Sequence, residues 1–210
     1  MSVISALVSF ALVAALLTIV PGLDTTYVLR TAIVSGRRAA FAAATGIGTG
    51  ALAWGVAAAV GVSALLTAST IAYTALRVAG ASYLLWLGVQ LIRATLGKHR
   101  AEAETDDDRR ATAWQAWRRG VLTNLLNPKV GAFYLAVIPQ FLPEGAPHLV
   151  MGVALALVHN AEGMVWFSAL ILAAHGVRGW LRRPSVRHAI DRVTGTALIA
   201  VGLKVALTPG

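Results

Sequence analysis

The chain has 210 residues, of which 57% are hydrophobic and 13% charged, about half the charged share of an ordinary soluble domain. Its mean hydropathy is +0.70, an apolar load that a soluble core of this size cannot hide and a lipid bilayer can. There are no cysteines, which excludes disulfides, thiolate nucleophiles and cysteine–zinc centres. The formal net charge is +9, with 18 Lys and Arg against 9 Asp and Glu. In a soluble protein that excess suggests nucleic acid. Here the basic residues fall in the breaks between apolar runs, so membrane topology and anionic lipid account for them, and no nucleic-acid partner is expected.

A membrane helix needs about 20 mostly apolar residues, and six segments meet that length. The first runs from about Val3 to Ser35 and is interrupted at Pro21-Gly22. Arg30 is the first basic residue, so Met1–Val20 lacks the positive flank of a secretory signal and reads as a retained membrane segment. The second segment runs from about Ala39 to Leu66 and the third from about Ile71 to Leu96. The fourth, about Gly120 to Leu142, is interrupted at Asn127-Pro128. The fifth covers about His148 to His175 and the sixth about Ala189 to Leu207. A five-span count follows instead if the first or last segment lies at the interface.

The connections set the orientation. Arg37 and Arg38 lie between segments one and two; Lys98, Arg100, Arg109, Arg110, Arg118 and Arg119 between three and four; Arg178, Arg182, Arg183, Arg187 and Arg192 between five and six or just inside six. These are 13 of the 18 basic residues, and the N-terminus and the other two connections carry none. Every second connection is therefore basic. The positive-inside rule makes those three cytoplasmic and puts both termini outside. Glu102, Glu104, Asp106, Asp107 and Asp108 share the 97–119 stretch, which reads as a solvated charged linker.

That linker divides the chain into a three-helix unit over 1–96 and a second over 120–210. Three spans reverse the chain direction, so the fold expected is an all-α integral membrane protein of about six helices in two inverted three-helix repeats. Each repeat opens with a proline-broken helix. Pro21 and Pro128 lie 107 residues apart, and the same offset carries segment one onto segment four. Proline lacks an N–H and clashes with the preceding turn, which frees backbone carbonyls that hydrocarbon cannot satisfy. Breaks at matching places in two halves point to a transport site.

Each break is followed by a charge, Asp24 and Lys129. Lys129 lies roughly 15 Å of helix past Arg119, and Asp24 roughly 20 Å before Arg37, which places both near the middle of a core about 30 Å thick. A charge there costs at least about 2.5 kcal/mol and faces a cavity or a partner. A purely structural Asp24–Lys129 ion pair is the alternative. Segment five adds His159, Asn160 and Glu162; His159, Glu162 and Trp166 share a helix face. A membrane carboxylate such as Glu162 suits proton carriage, and the alternatives are a Glu that only ties helices together and an ordinary interior His159. Ala42, Gly46 and Gly50 form a small-residue face for close helix packing, which leaves homo-oligomerisation open. Gly46-Ile47-Gly48-Thr49-Gly50 has no preceding strand and is not a phosphate loop. Arg77, Arg93 and Lys204 lie near helix ends and are expected to snorkel; Trp114, Trp117 and Trp180 sit where an interface belt would be.

At these residues the chain resembles the LysE/RhtB amino-acid exporters. Pro21-Gly22-Leu23-Asp24 with Ser35-Gly36-Arg37-Arg38-Ala39 and Gly46-Ile47-Gly48 is similar to the opening signature of that family. Ala81-Ser82-Tyr83-Leu84-Leu85-Trp86-Leu87-Gly88 resembles its third-helix motif. The run from Arg118-Arg119-Gly120 through Asn124-Leu125-Leu126-Asn127-Pro128-Lys129 to Pro139-Gln140-Phe141 is similar to its central motif. The family usually has a second proline where this chain has Leu23, so a softer first break is expected. The resemblance implies a secondary exporter of amino acids or close derivatives in the bacterial inner membrane. Within that frame Asp24 would meet a substrate ammonium, Lys129 and the backbone N–H groups beside Pro128 a carboxylate, with Asn124 and Asn127 supplying hydrogen bonds and Thr25 a further substrate-binding residue. Asp24, Glu162 or His159 would carry a proton. No nucleotide motif, cofactor or metal is expected, and neither is enzymatic activity, since no convincing nucleophile or zinc motif is present. The competing function is export of inorganic cations or other small metabolites.

Overall fold

The computed structural model describes residues 2–96, 110–143, 145–174 and 183–207. Residues 97–109 of the charged linker, and Arg178, Trp180 and Arg182, lie outside the described residues, as do the side chains of Arg77, Arg187 and Lys204.

Every element among the described residues is helical. The helices are α1 (Val3–Ile19), α2 (Leu23–Val34), α3 (Arg37–Ala68), α4 (Thr70–Ala94), α5 (Ala113–Leu125), α6 (Pro128–Val137), α7 (His148–Leu172) and α8 (Pro184–Leu207), with a 3-10 turn (Ile138–Phe141) after α6. Both expected interruptions are present. α1 and α2 meet at 56°, and α5 meets α6 and its 3-10 extension at 57°. The first break is therefore as sharp as the second, and Leu23 does not soften it: Gly22 is the extended N-cap of α2, and Leu23 opens the new helix.

Among the described residues two helices, α3 and α7, are long and apolar enough to cross a membrane on their own, and the count rises to four if each bent pair is one span. α5 starts at Ala113, well before the expected Gly120, because a capping box starts it early. Thr112 Oγ1 accepts from Gln115 N at 3.3 Å, and Gln115 Oε1 accepts from Thr112 N at 3.0 Å. Between α2 and α3 the chain turns at Gly36, whose φ of +86° favours a residue without Cβ. Ser35 Oγ accepts from Ala111 N at 2.9 Å and ties that turn to the start of α5.

α3 is the centre of the bundle, packed on α2, α5 and α7, while α4 and α8 pack along each other. Small residues permit this closeness. A Cβ on Gly46 would run into the Trp117 carbonyl, and one on Gly120 into the Ala43 carbonyl. Gly88 and Gly195 meet across α4 and α8, where a Cβ on either would lie 2.6 Å from the other's carbonyl oxygen. Gly46 and Gly50 of the small-residue face thus meet α5 inside the chain, at Trp117 and Asn124.

The core has two parts. Phe10, Phe133, Tyr134, Ile138, Phe141 and Leu155 join α1, α6 and α7. Val28, Ala40, Ala43, Ile47, Ala116 and Phe167 join α2, α3, α5 and α7. Large apolar side chains such as Ile4, Leu12, Ile71 and Val165 point outward. In water they would form a sticky surface; facing lipid they cost nothing.

Candidate functional site

The two breaks converge. Between them, the middle of α3 and the middle of α7 lies a cavity of about 230 Å3, lined by Gly22, Asp24, Thr25, Asn124, Asn127, Lys129 and His159 among others. Residues more than 100 positions apart in sequence thus share one wall. Of the polar residues singled out from sequence, Glu162 is the one that does not line the cavity; it sits on α7 beside the cavity face, and its Oε2 is buried without a hydrogen-bond partner.

The polar network crosses from one break to the other. Asn124 Nδ2 donates to Asp24 Oδ2 at 2.8 Å, and Asn127 Nδ2 donates to Asp24 Oδ1 at 3.4 Å. Both asparagines are buried. Asn127 is also the N-cap of α6, its Oδ1 accepting from Lys129 N at 3.1 Å, with Pro128 at the first helical position. The restart of the helix therefore rests on Asn127 as much as on proline. Asn124 Oδ1 is buried and has no partner.

Lys129 does not pair with Asp24. Its Nζ donates through long contacts to the carbonyls of Leu17, at 3.4 Å, and Val20, at 3.5 Å. These carbonyls end α1, where the helix dipole favours a cation. Gly22 adjoins the ammonium: a Cβ built there would lie in ordinary contact with Lys129 Nζ, at 3.5 Å. Carbonyls at the end of α1, before the first break, thus find their partner on the far side of the second break. The carboxylate after the first break finds its partners just before the second break, at Asn124, and at it, at Asn127.

The structure adds residues that sequence reasoning left without a role. His159 Nδ1 lies 2.9 Å from the hydroxyl of Tyr134, which is fully buried. Asn160 Nδ2 donates to the Gly48 carbonyl at 3.0 Å and lines the cavity. Thr45, Gly48 and Thr49 present one α3 face to the cavity; their i, i+3, i+4 spacing inside an apolar run was the available signal. The Thr45 and Thr49 hydroxyls donate back to the carbonyls of Ala42 and Thr45, both at 2.9 Å. Asp191 on α8 is a further buried carboxylate, 6% exposed. Among the described residues no group of three or more His, Asp or Glu side chains is placed to hold a metal ion.

The cavity at the paired helix breaks thus gathers one carboxylate, one ammonium and several amides in a space of small-molecule size. Comparison with known proteins places the chain among membrane transport proteins. The chain is 27% identical over 207 residues to the uncharacterized membrane protein YrhP of Bacillus subtilis (strain 168), covering 96% of this chain and 99% of that one. It is 31% identical over 204 residues, 94% of each chain, to the homoserine/homoserine lactone efflux protein of Salmonella typhi. A membrane protein of Vibrio cholerae, uncharacterized, is 28% identical over 202 residues, covering 94% of this chain and 95% of that one. No solved structure matches. Residues 15–208 match the family described as LysE type translocator, and the chain belongs to that family.

Proposed function

We propose that this protein exports an amino acid or a close derivative across the bacterial inner membrane by alternating access around the cavity at the two breaks. The observation that carries this reading is the environment of Asp24. Its donors are two neutral amides, not a cation, so its charge is left to attract a substrate ammonium. Thr25 and the unpartnered Asn124 Oδ1 add acceptors beside it. Lys129, together with the amides of Asn124 and Asn127, receives the carboxylate or carbonyl end of the substrate, leaving the α1 carbonyls as it does so. Opposite charges on either side of one cavity match a zwitterion. The name of the Salmonella relative makes homoserine and its lactone the first compounds to try.

In this reading each bent pair is one span, giving six with α3, α4, α7 and α8. Units 1–96 and 120–210 form two inverted repeats joined by the 97–119 linker. The near-equal bends of 56° and 57° support that pairing. Both termini lie outside, and the arginine-bearing ends face the cytoplasm. Protons drive export, carried by Asp24 itself or by Glu162 with the neighbouring His159.

Cells expressing the protein, preloaded with labelled homoserine and a panel of amino acids, test the proposal by efflux with and without a protonophore. Selective efflux that collapses with the gradient is expected. Efflux that ignores the protonophore removes proton coupling. No efflux of any amino acid, with the protein verified in the membrane, removes the substrate class.

A further inference from the structure

Three glycines line the central cavity: Gly22, Gly48 and Gly163. A Cβ on Gly48 would stand 3.1 Å from Asn160 Oδ1, tighter than ordinary contact, and one on Gly22 would touch Lys129 Nζ at 3.5 Å. Gly163 differs. Apart from its own helix backbone, the one described atom within 4 Å of a Cβ built there is Cε2 of Phe167, at 3.9 Å. Glycine weakens a helix interior relative to alanine. Gly46 and Gly120 are explained by a backbone carbonyl pressed against them. Gly163, well inside α7, has no such neighbour among the described residues and faces open space.

That space is the cavity. Asn160, Gly163, Met164 and Phe167 follow i, i+3, i+4, i+7 spacing and share one face of α7, and all four line the cavity. Ala161 and Val165, on the far side of the helix, are exposed outward. A side chain on Gly163 would therefore enter the cavity and not the lipid. The volume of about 230 Å3 is below the roughly 300–1,000 Å3 of a site for a drug-sized ligand. A group added to the wall thus takes space that the ligand would use. The charged groups of the lining, Asp24 and Lys129, belong to the two breaks, while Gly163 stands on α7 with Met164 and Phe167 beside it. A zwitterion held by its ammonium and carboxylate at the breaks has its side chain left for this uncharged part of the wall.

We propose that Gly163 sets the upper size of the substrate, with the amino-acid side chain lying against it beside Met164 and Phe167. The inference rests on the proposed export of amino acids and adds to it the position that selects among them.

Proteoliposomes with an imposed proton gradient, preloaded with labelled glycine, alanine, homoserine, leucine or phenylalanine, test it. In Gly163→Ala the efflux of the largest exported compound, relative to the smallest, is expected to fall about tenfold against the wild type, as one methyl group in a fitted pocket predicts. In Gly163→Leu it should fall further. Gly61→Ala, which does not line the cavity, should keep the wild-type order. Equal loss for every compound, or the wild-type order in both Gly163 variants, overturns the inference. Gly163→Cys gives a second readout that needs no rate of transport. The chain has no cysteine of its own, so labelling by a small methanethiosulfonate reports on this position alone. Labelling slowed by the largest exported amino acid is expected. No labelling, or labelling that the amino acid leaves unchanged, overturns the inference. A wild type that exports none of the series overturns the proposed function and this inference with it. A wild type that exports, beside Gly163 variants of unchanged selectivity, overturns the role of Gly163 alone.

Discussion

Asp24 is the residue on which the proposed site depends. Its placement was legible from sequence: an aspartate after a proline break within an apolar run is costly without a cavity or a partner, and it lines the cavity. Its partners were not legible, because Asn124 and Asn127 reach it across 100 or more residues of chain. Asp24→Asn keeps the shape and removes the charge. It should abolish most efflux in reconstituted vesicles while leaving membrane insertion intact; normal export would take Asp24 out of the mechanism. Asn127 combines two roles that substitution can separate. Asn127→Ser keeps a capping oxygen for α6 and removes the amide that reaches Asp24, so it should retain thermal stability and lose activity. Asn127→Ala removes both and should cost about 1 kcal/mol of stability in addition. A thermal unfolding scan run beside the efflux assay distinguishes them; equal stability of the two variants would show that the cap contributes nothing. Lys129 shows the limit of reading charge pairs from spacing. Two opposite charges after matching breaks suggest an ion pair, yet the ammonium lies against the end of α1. Backbone carbonyls set free by a break attract a cation as a carboxylate does, and a linear sequence displays only the carboxylate.

At the level of helices, the breaks were legible and the packing partners were not. Proline and glycine act locally, through φ and a missing N–H, so Pro21-Gly22 and Asn127-Pro128 announce themselves. Which helices then touch depends on where small residues meet. Gly46 and Gly50 were readable as a close-packing face, and what they pack against, Trp117 and Asn124 of α5, was open until the chain was folded. The Gly88–Gly195 crossing of α4 and α8 gives a direct test. Gly88→Ala places a methyl group against the Gly195 carbonyl and should destabilise by about 1–3 kcal/mol. Gly61→Ala, with nothing among the described residues within 4 Å of the added Cβ, should be neutral or stabilising by up to about 1 kcal/mol. Similar melting temperatures for the two variants in one detergent would rule out close approach as the reason for glycine at 88.

For the whole molecule, the testable quantity is orientation. The chain has no cysteine, so single cysteines can be introduced against a zero background. Ser2→Cys should react with a membrane-impermeant maleimide in intact cells, and Arg38→Cys only in inverted vesicles. The opposite pattern would place the arginine-rich connections outside and reverse the assignment of cytoplasmic entry. The linker belongs to this scale as well. Its charges put its bounds at 97 and 119, yet α5 already runs from Ala113, because a capping box outweighs the polarity of Trp114–Arg119 in deciding where a helix starts.

Sequence alone determined the class of molecule: helical and membrane-bound, with two interrupted helices and family signatures around both breaks. Each of those features is local or cumulative. Hydropathy adds along a segment, proline acts on its neighbours, and a motif is contiguous. Tertiary structure decided the rest. It made Asn124 and Asn127 the companions of Asp24, sent Lys129 to the carbonyls of α1, set Tyr134 against His159, left Glu162 beside the cavity instead of in it, and put Gly163 in the cavity wall. These are contacts between distant segments, fixed by how closely the glycine-faced helices approach, and that distance is a property of the packed bundle that no single segment encodes.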